Sequence, residues 1–214
     1  MLYGKYIEMQ YCLETLLNNI RKVIVNHIGI VLKKLSPHKV ALLDKQRGRL
    51  DGISMRSLCL GSLLHYTIEK EHGTMVYVAD TYMVDLPFAI ARNDILFWHH
   101  ILELCFYFVP LGSYTPQLFE LCTFLYTVDT DVCWPKQSKK LYLFKLLTTI
   151  GVYPRLPQLS REKLHYFMAV PLEKMACEQI DADHEKKLDE WLRVCVSDHP
   201  AIAYFKTIHY LLAA

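Results

Sequence analysis

The side chains best placed to do chemistry fall in two short stretches. In LLDKQRGRLDGISM (residues 42–55), Lys45, Arg47 and Arg49 crowd around Gly48. Closely spaced cations suit an anion, and above all a polyanion whose counterions they can displace. In FWHHILE (97–103), His99, His100 and Glu103 share a helical stretch, the residue types of a metal site or an acid–base pair. A di-iron bundle needs a second Glu/His set on a facing helix. A polar strip on a packed helix is the better reading of these three residues. Asp80 with Asp85, and Asp129 with Asp131, sit at turns, where solvation or capping accounts for them. There is no G-x-x-x-x-G-K-[ST], no G-x-G-x-x-G and no G-x-S-x-G. No enzyme is expected.

The basic stretch gains weight from its surroundings. Lys33, Lys34, Lys39, Lys45, Arg47, Arg49 and Arg56 lie between residues 30 and 56, against Asp44 and Asp51. Seven cations against two carboxylates leave +5, more than the +2 of the whole chain, so the remainder is slightly acidic. Global charge therefore draws in no nucleic acid, but local clustering can. Tyr66, Tyr77 and Tyr82, on later strands, are stacking candidates or core residues.

The elements that carry these residues read as follows. The 214 residues are 52% apolar and 21% charged, which is globular composition with a sizeable core. Residues 2–22 repeat Leu2, Tyr6, Met9, Leu13, Leu16 and Ile20 at helical spacing and form an N-terminal extension. From 23 to 88, short aliphatic pieces at 23–25, 28–32, 40–43, 50–53, 63–68 and 75–84 are separated by turn signals such as Ser36-Pro37-His38 and His72-Gly73. Five or six short strands without a helix between them predict a small closed antiparallel barrel. From 89 to 214 the signals are helical. Asn93 or Asp94 caps the first helix, Thr115-Pro116 opens the second, and a third at 138–149 stops at Gly151. A proline-marked connector at 152–159 precedes helical segments at 161–169, 172–180, 184–196 and 201–212, capped in part by Ser160 and Asp183. The fold class is α+β, a barrel followed by an α-helical bundle.

The seven cysteines are scattered, with no C-x-x-C, and read as buried thiols of a reducing compartment. No signal peptide and no run of 18 apolar residues is present. A soluble cytoplasmic protein without a membrane partner is expected.

GIVLKKLSPHKVALLDKQRGRLDGI (29–53) resembles the opening strands of the RecO family of bacterial recombination mediators, with their Gly-Arg-Leu turn. GSLLHYTIEKEHGTMVYVADTYMVDLPF (61–88) is similar to the later strands of that family. RNDILFWHHILELCFYFVPLGSYTPQLFELCTFLYTV (92–128) looks like its paired helices, and LFKLLTTIGVYP (143–154) like its Gly-Tyr-Xaa-Pro helix end with Val152 inserted. The resemblance covers about 23–154. It implies an OB-fold barrel and non-sequence-specific binding of single- and double-stranded DNA. It further implies strand annealing and recombinase loading, with RecR-like and single-strand-binding proteins as partners. Lys33, Lys34, Lys39, Lys45, Arg47, Arg49 and Arg56 would then be the DNA-binding set. The family's basic run after Gly-Arg-Leu is reduced here to Arg56, and its four-cysteine zinc module to Cys177 in 155–179. No metal or other cofactor is expected. The alternative is a RecO-like protein-interaction module that has lost strong DNA binding, with a partner held by the aromatic-rich helical part.

Overall fold

The computed structural model describes residues 26–73, 75–129, 134–153, 160–175 and 177–207. The expected helix at 2–22, the piece at 23–25, most of the 152–159 connector and the end of the last helical segment lie outside the described residues.

Five strands close into a barrel: β1 (His27–Lys34), β2 (Lys39–Asp44), β3 (Gly48–Ser54), β4 (Leu63–His72) and β5 (Met75–Asp85). Their order is β1-β2-β3-β5-β4, with β4 returning to β1, which removes the open edges. Every pairing is antiparallel except β3 with β5. This order is compatible with an OB-like fold.

Alternation along the strands builds two cores. Val31, Val40, Leu42, Leu50, Leu64, Tyr66, Val76 and Val78 fill the barrel. The neighbouring positions Ile30, Leu32, Ala41 and Leu43 point outward, yet they are buried too, because helices cover that wall. This is why β2 reads as an unbroken apolar run, VALL, where a sheet with one solvated face would alternate.

The helices are α1 (Phe88–Asn93), α2 (Ile95–Phe108), α3 (Pro116–Phe124), α4 (Lys136–Ile150), α5 (Arg161–Ala169) and α6 (Ala182–Ser197), and α2 packs on β1. Asp94 caps α2 by accepting from the Phe97 amide at 3.0 Å. Phe97, Trp98, Ile101, Leu102, Leu104 and Cys105 of α2 are all buried. Helix α4 is central: Leu141 through Phe144, Leu146 and Leu147 are inaccessible to solvent or nearly so. Its Lys140 reaches α6, where it contacts Glu185 at 2.6 Å and Asp189 at 2.7 Å. Gly151 ends α4 in the left-handed region, as its position in the sequence predicts.

Three helical expectations need correction, the first being 201–212, whose described part is one 3-10 turn, Ile202–Tyr204, followed by extended Phe205. Of the segment 172–180, the described residues form one 3-10 turn, Leu172–Lys174, although its apolar residues recur at helical spacing. The cap before α6 is Asp181, which accepts from the His184 amide at 3.0 Å, so Asp183 falls inside the first turn. Among the described residues no helix is long and apolar enough to cross a membrane.

Candidate nucleic-acid interface at the turn end of the barrel

A three-residue turn, Lys45–Arg47, joins β2 to β3, with Gly48 in the left-handed region after it. Asp44, buried at the end of β2, holds this turn. Its Oδ1 accepts from the amides of Gln46 and Arg47, each at 2.8 Å. Its Oδ2 accepts from the Tyr66 hydroxyl at 2.5 Å and lies 3.3 Å from His27 Nδ1. Burial and the adjacent carboxylate push the Tyr66 phenol far up, so it remains a donor. The backbone of the turn is thus pinned from inside while its side chains face outward.

Lys45 is exposed, and its ammonium has no side-chain partner among the described residues. Arg47 forms a two-pronged pair with Glu71 of β4, one prong at 2.9 Å. That hydrogen-bonded pair raises the guanidinium and lowers the carboxyl of Glu71. The pair lies in solvent, where such contacts contribute less than about 1 kcal/mol.

Arg49 turns the other way. Its Nη1 donates to the carbonyls of Phe106 at 2.6 Å and Val109 at 3.0 Å, at the C-terminal end of α2. A cation there satisfies carbonyls left over by the helix and complements its dipole. The guanidinium also lies 4.4 Å from the Phe106 ring centroid, and Lys33 Nζ lies 4.4 Å from the same centroid. Lys33 donates to the Tyr107 hydroxyl at 2.6 Å. These two cations are half-buried and clamp α2 onto the barrel, and burial lowers the Arg49 guanidinium. The main chain reinforces the seam. The Gly112 amide donates to the Arg49 carbonyl at 2.7 Å. A Cβ on Gly48 would stand 1.7 Å from the Ser113 carbonyl oxygen, so the Gly-Arg-Leu segment needs glycine there twice over.

The remaining candidate cations spread over the barrel. Lys34 Nζ is 3.4 Å from Ser57 Oγ, Lys39 pairs with Asp51 at 3.4 Å, and Arg56 donates to the Thr81 carbonyl at 3.3 Å. The structure therefore brings Lys45 and Arg47 together at the β2–β3 turn end, sends Lys33 and Arg49 to the helical seam, and leaves Lys34, Lys39 and Arg56 at exposed or partly exposed positions at the other end of the strands.

Of the three tyrosines, Tyr66 is inside the barrel, whereas Tyr77 and Tyr82 are exposed, at 41% and 70%. Strand register sets Tyr77 beside Ile53 on one side and Lys70 on the other, and Ile53 in turn lies beside Lys39. On the wall that the helices leave open, an aromatic ring thus sits between strands that carry lysines. Val76 and Val78, both buried, flank Tyr77, so period-two alternation held the signal for its outward direction. Tyr114, on the loop between α2 and α3, escaped sequence reasoning. It is 56% exposed and stands across from the basic turn. Nothing in its immediate sequence marks it.

The His99, His100 and Glu103 strip serves the segment after α6. Glu103 accepts from the amides of Lys206 and Thr207 and from the Thr207 hydroxyl, the last at 2.6 Å. His100 Nδ1 lies 2.8 Å from the same hydroxyl, and burial lowers His100 to about 4. His99 lines a cleft of about 310 Å³ with Lys33, Lys34 and Lys206. Among the described residues the group that could converge on a metal ion is Asp181, Asp183 and His184 at the exposed start of α6. Its members are occupied in capping and in the Asp183–Lys187 pair at 2.5 Å. Among the described residues Cys105, Cys122 and Cys195 are buried free thiols, whereas Cys59 and Cys177, also free, are exposed, against the expectation of burial.

In comparisons with known proteins, the sequence matches no family model and no curated protein.

Proposed function

We propose that the barrel is an OB-fold and that the chain is a RecO-like DNA-binding protein of repair and recombination. It binds single- and double-stranded DNA without sequence specificity and supports annealing and recombinase loading alongside RecR-like and single-strand-binding proteins. The helices form a bundle that braces the barrel, no catalytic step is involved, and the setting is the bacterial cytoplasm.

One observation carries this reading. The closed barrel keeps one wall free of helices, where Lys39 and Lys70 flank the exposed ring of Tyr77, and one end, where Lys45 and Arg47 stand on the β2–β3 turn. Cations that track a phosphate backbone, beside aromatics on which bases stack, are the general means of holding nucleic acid without reading sequence. Lys33 and Arg49 contribute indirectly, by holding α2 against the barrel. Fluorescence anisotropy with a labelled oligonucleotide at several salt concentrations tests the proposal.

A second reading has its own support. Glu69, Glu71 and Asp80 stand on β4 and β5 of the same open wall and dilute its charge. Tyr82, Met83 and Val84 at the end of β5 are all exposed, which suits a protein partner. Capture of a partner without added DNA, together with salt-independent failure to bind oligonucleotides, would favour it.

A further inference from the structure

At the turn end of the barrel, a cleft of about 380 Å³ opens between three loops. Gln46 and Arg47 of the β2–β3 turn form one side, and Tyr114 of the loop between α2 and α3 forms the other. The floor is apolar, made by Leu50 and Val76, the barrel core residues nearest this end. Gly73 and Gly112 complete the rim, and a Cβ at either would meet nothing within 4 Å, so the space beside them is open. The mouth of a barrel is a common place for a ligand, and pockets that hold small ligands begin at about 300 Å³.

The cleft is preformed. The Asp44 carboxylate fixes the β2–β3 turn through the amides of Gln46 and Arg47, as described above. The Gly112 amide, the Arg49 carbonyl and the close approach of Gly48 to Ser113 fix the opposite loop to the same strand. Tyr114 and Arg47 are therefore held at set positions by backbone that cannot swing away, which lowers the cost of binding.

We propose that this cleft takes one nucleotide unit of a single DNA strand. The base lies over Leu50 and Val76 against the Tyr114 ring. The phosphate meets Arg47 at the rim, with Lys45 beside it in the same turn. The inference rests on the DNA-binding reading and adds to it a place and a preference. A base inside a duplex is stacked on both faces and cannot enter, so only a single strand, a gap or a frayed end can use the cleft. Gln46 supplies an amide that can both donate and accept, which suits the edge of any base. The pair with Glu71 is the resting partner of Arg47. A phosphate replaces it, so Glu71 acts as a weak competitor at the rim.

The test uses the full chain and a labelled oligothymidylate, with binding read by anisotropy. Tyr114→Phe keeps the ring and is expected to retain most of the affinity that Tyr114→Ala loses. Tyr114→Ala is expected to weaken binding about tenfold, within the range of a lost base–aromatic stack. Glu71→Gln is expected to tighten binding severalfold. Circular dichroism melts check that the variants are folded. A strand carrying 2-aminopurine gives a second readout in the wild type and Tyr114→Phe alone: its emission should fall on binding as the base stacks. Unchanged emission on a strand that binds, or equal affinity of Tyr114→Ala and wild type, overturns the cleft while leaving the DNA-binding reading intact. Thymidine monophosphate that binds as tightly as the strand assigns the cleft to a free nucleotide and overturns the strand proposal. A wild type that binds no oligonucleotide at all overturns both.

Discussion

The Arg49 guanidinium donates to the Phe106 carbonyl at 2.6 Å, across the seam between β3 and the end of α2. This contact explains why one arginine of the basic stretch behaves unlike its neighbours. Arg47 and Arg49 are two positions apart on the chain and would share a face in a regular strand, but only Arg49 is within the strand. Arg47 lies in the turn and faces solvent.

Arg49→Ala is therefore a stability variant. It removes two hydrogen bonds from a charged donor and one ring contact, and is expected to cost about 2–3 kcal/mol. Urea denaturation should show the loss as a lower midpoint with an unchanged slope. Arg49→Lys recovers part of it, since a single ammonium cannot span both carbonyls. Arg47→Ala, made alongside, should move stability by less than about 1 kcal/mol. An Arg49→Ala protein as stable as wild type would contradict the clamp.

Gly48→Ala tests the same seam from the main chain. The residue has φ of 73°, and its added Cβ would overlap the Ser113 carbonyl. The loop must retreat, so a loss of more than about 2 kcal/mol is expected, beyond the ordinary cost of Ala in the left-handed region. Hydrogen exchange of the Gly112 amide should accelerate at the same time.

Tyr66→Phe takes one donor from the buried Asp44 carboxylate and leaves its two turn amides in place. A hydrogen bond to a charged group lost in this way costs about 1.5–3 kcal/mol. Thermal unfolding of the variant should show the decrease, and oligonucleotide affinity should change little if the turn keeps its shape.

His100 gives the chain an acid-sensitive element. Burial holds it neutral, with a folded pKa of about 4, while in the unfolded chain it titrates near 6.5. The folded state then binds fewer protons, so this contribution is fully present above about pH 6.5 and is lost as the pH falls toward 4. The loss is on the order of 3 kcal/mol. Glu103, on the same face of α2, partly opposes it by favouring the charged form. Denaturation midpoints followed from pH 7 to pH 4 should fall more steeply in wild type than in His100→Gln, where the carboxylates still titrate but this group does not.

Much of the barrel was legible because strands announce themselves locally. Ile28–Leu32, Val40–Leu43 and Met75–Val84 all fall inside observed strands. The caps of α2 and α5 were legible for the same reason: Asp94 and Ser160 need only the amides three positions on. The direction of a cation was not. Lys33 and Arg49 satisfy aromatic rings and carbonyls from residues 106–109, far along the chain, and no local pattern reports that contact. Tyr114 reaches the basic turn only because the loop between α2 and α3 is tied back to β3. The charge count over residues 30–56 had the same weakness. It could not register Glu71, which folds back onto Arg47 from β4.

The most direct test of DNA binding through the turn end compares wild type with Lys45→Glu/Arg47→Glu, by anisotropy on a labelled oligothymidylate from low to high salt. Each phosphate contact on a single strand contributes a slope of about −0.7 in log affinity against log salt. The account predicts measurable wild-type binding that weakens as salt rises, and a double variant, still folded, with a shallower slope and at least about tenfold weaker binding at low salt. Equal affinities for the two proteins at every salt concentration, or a wild type that does not bind, would contradict it.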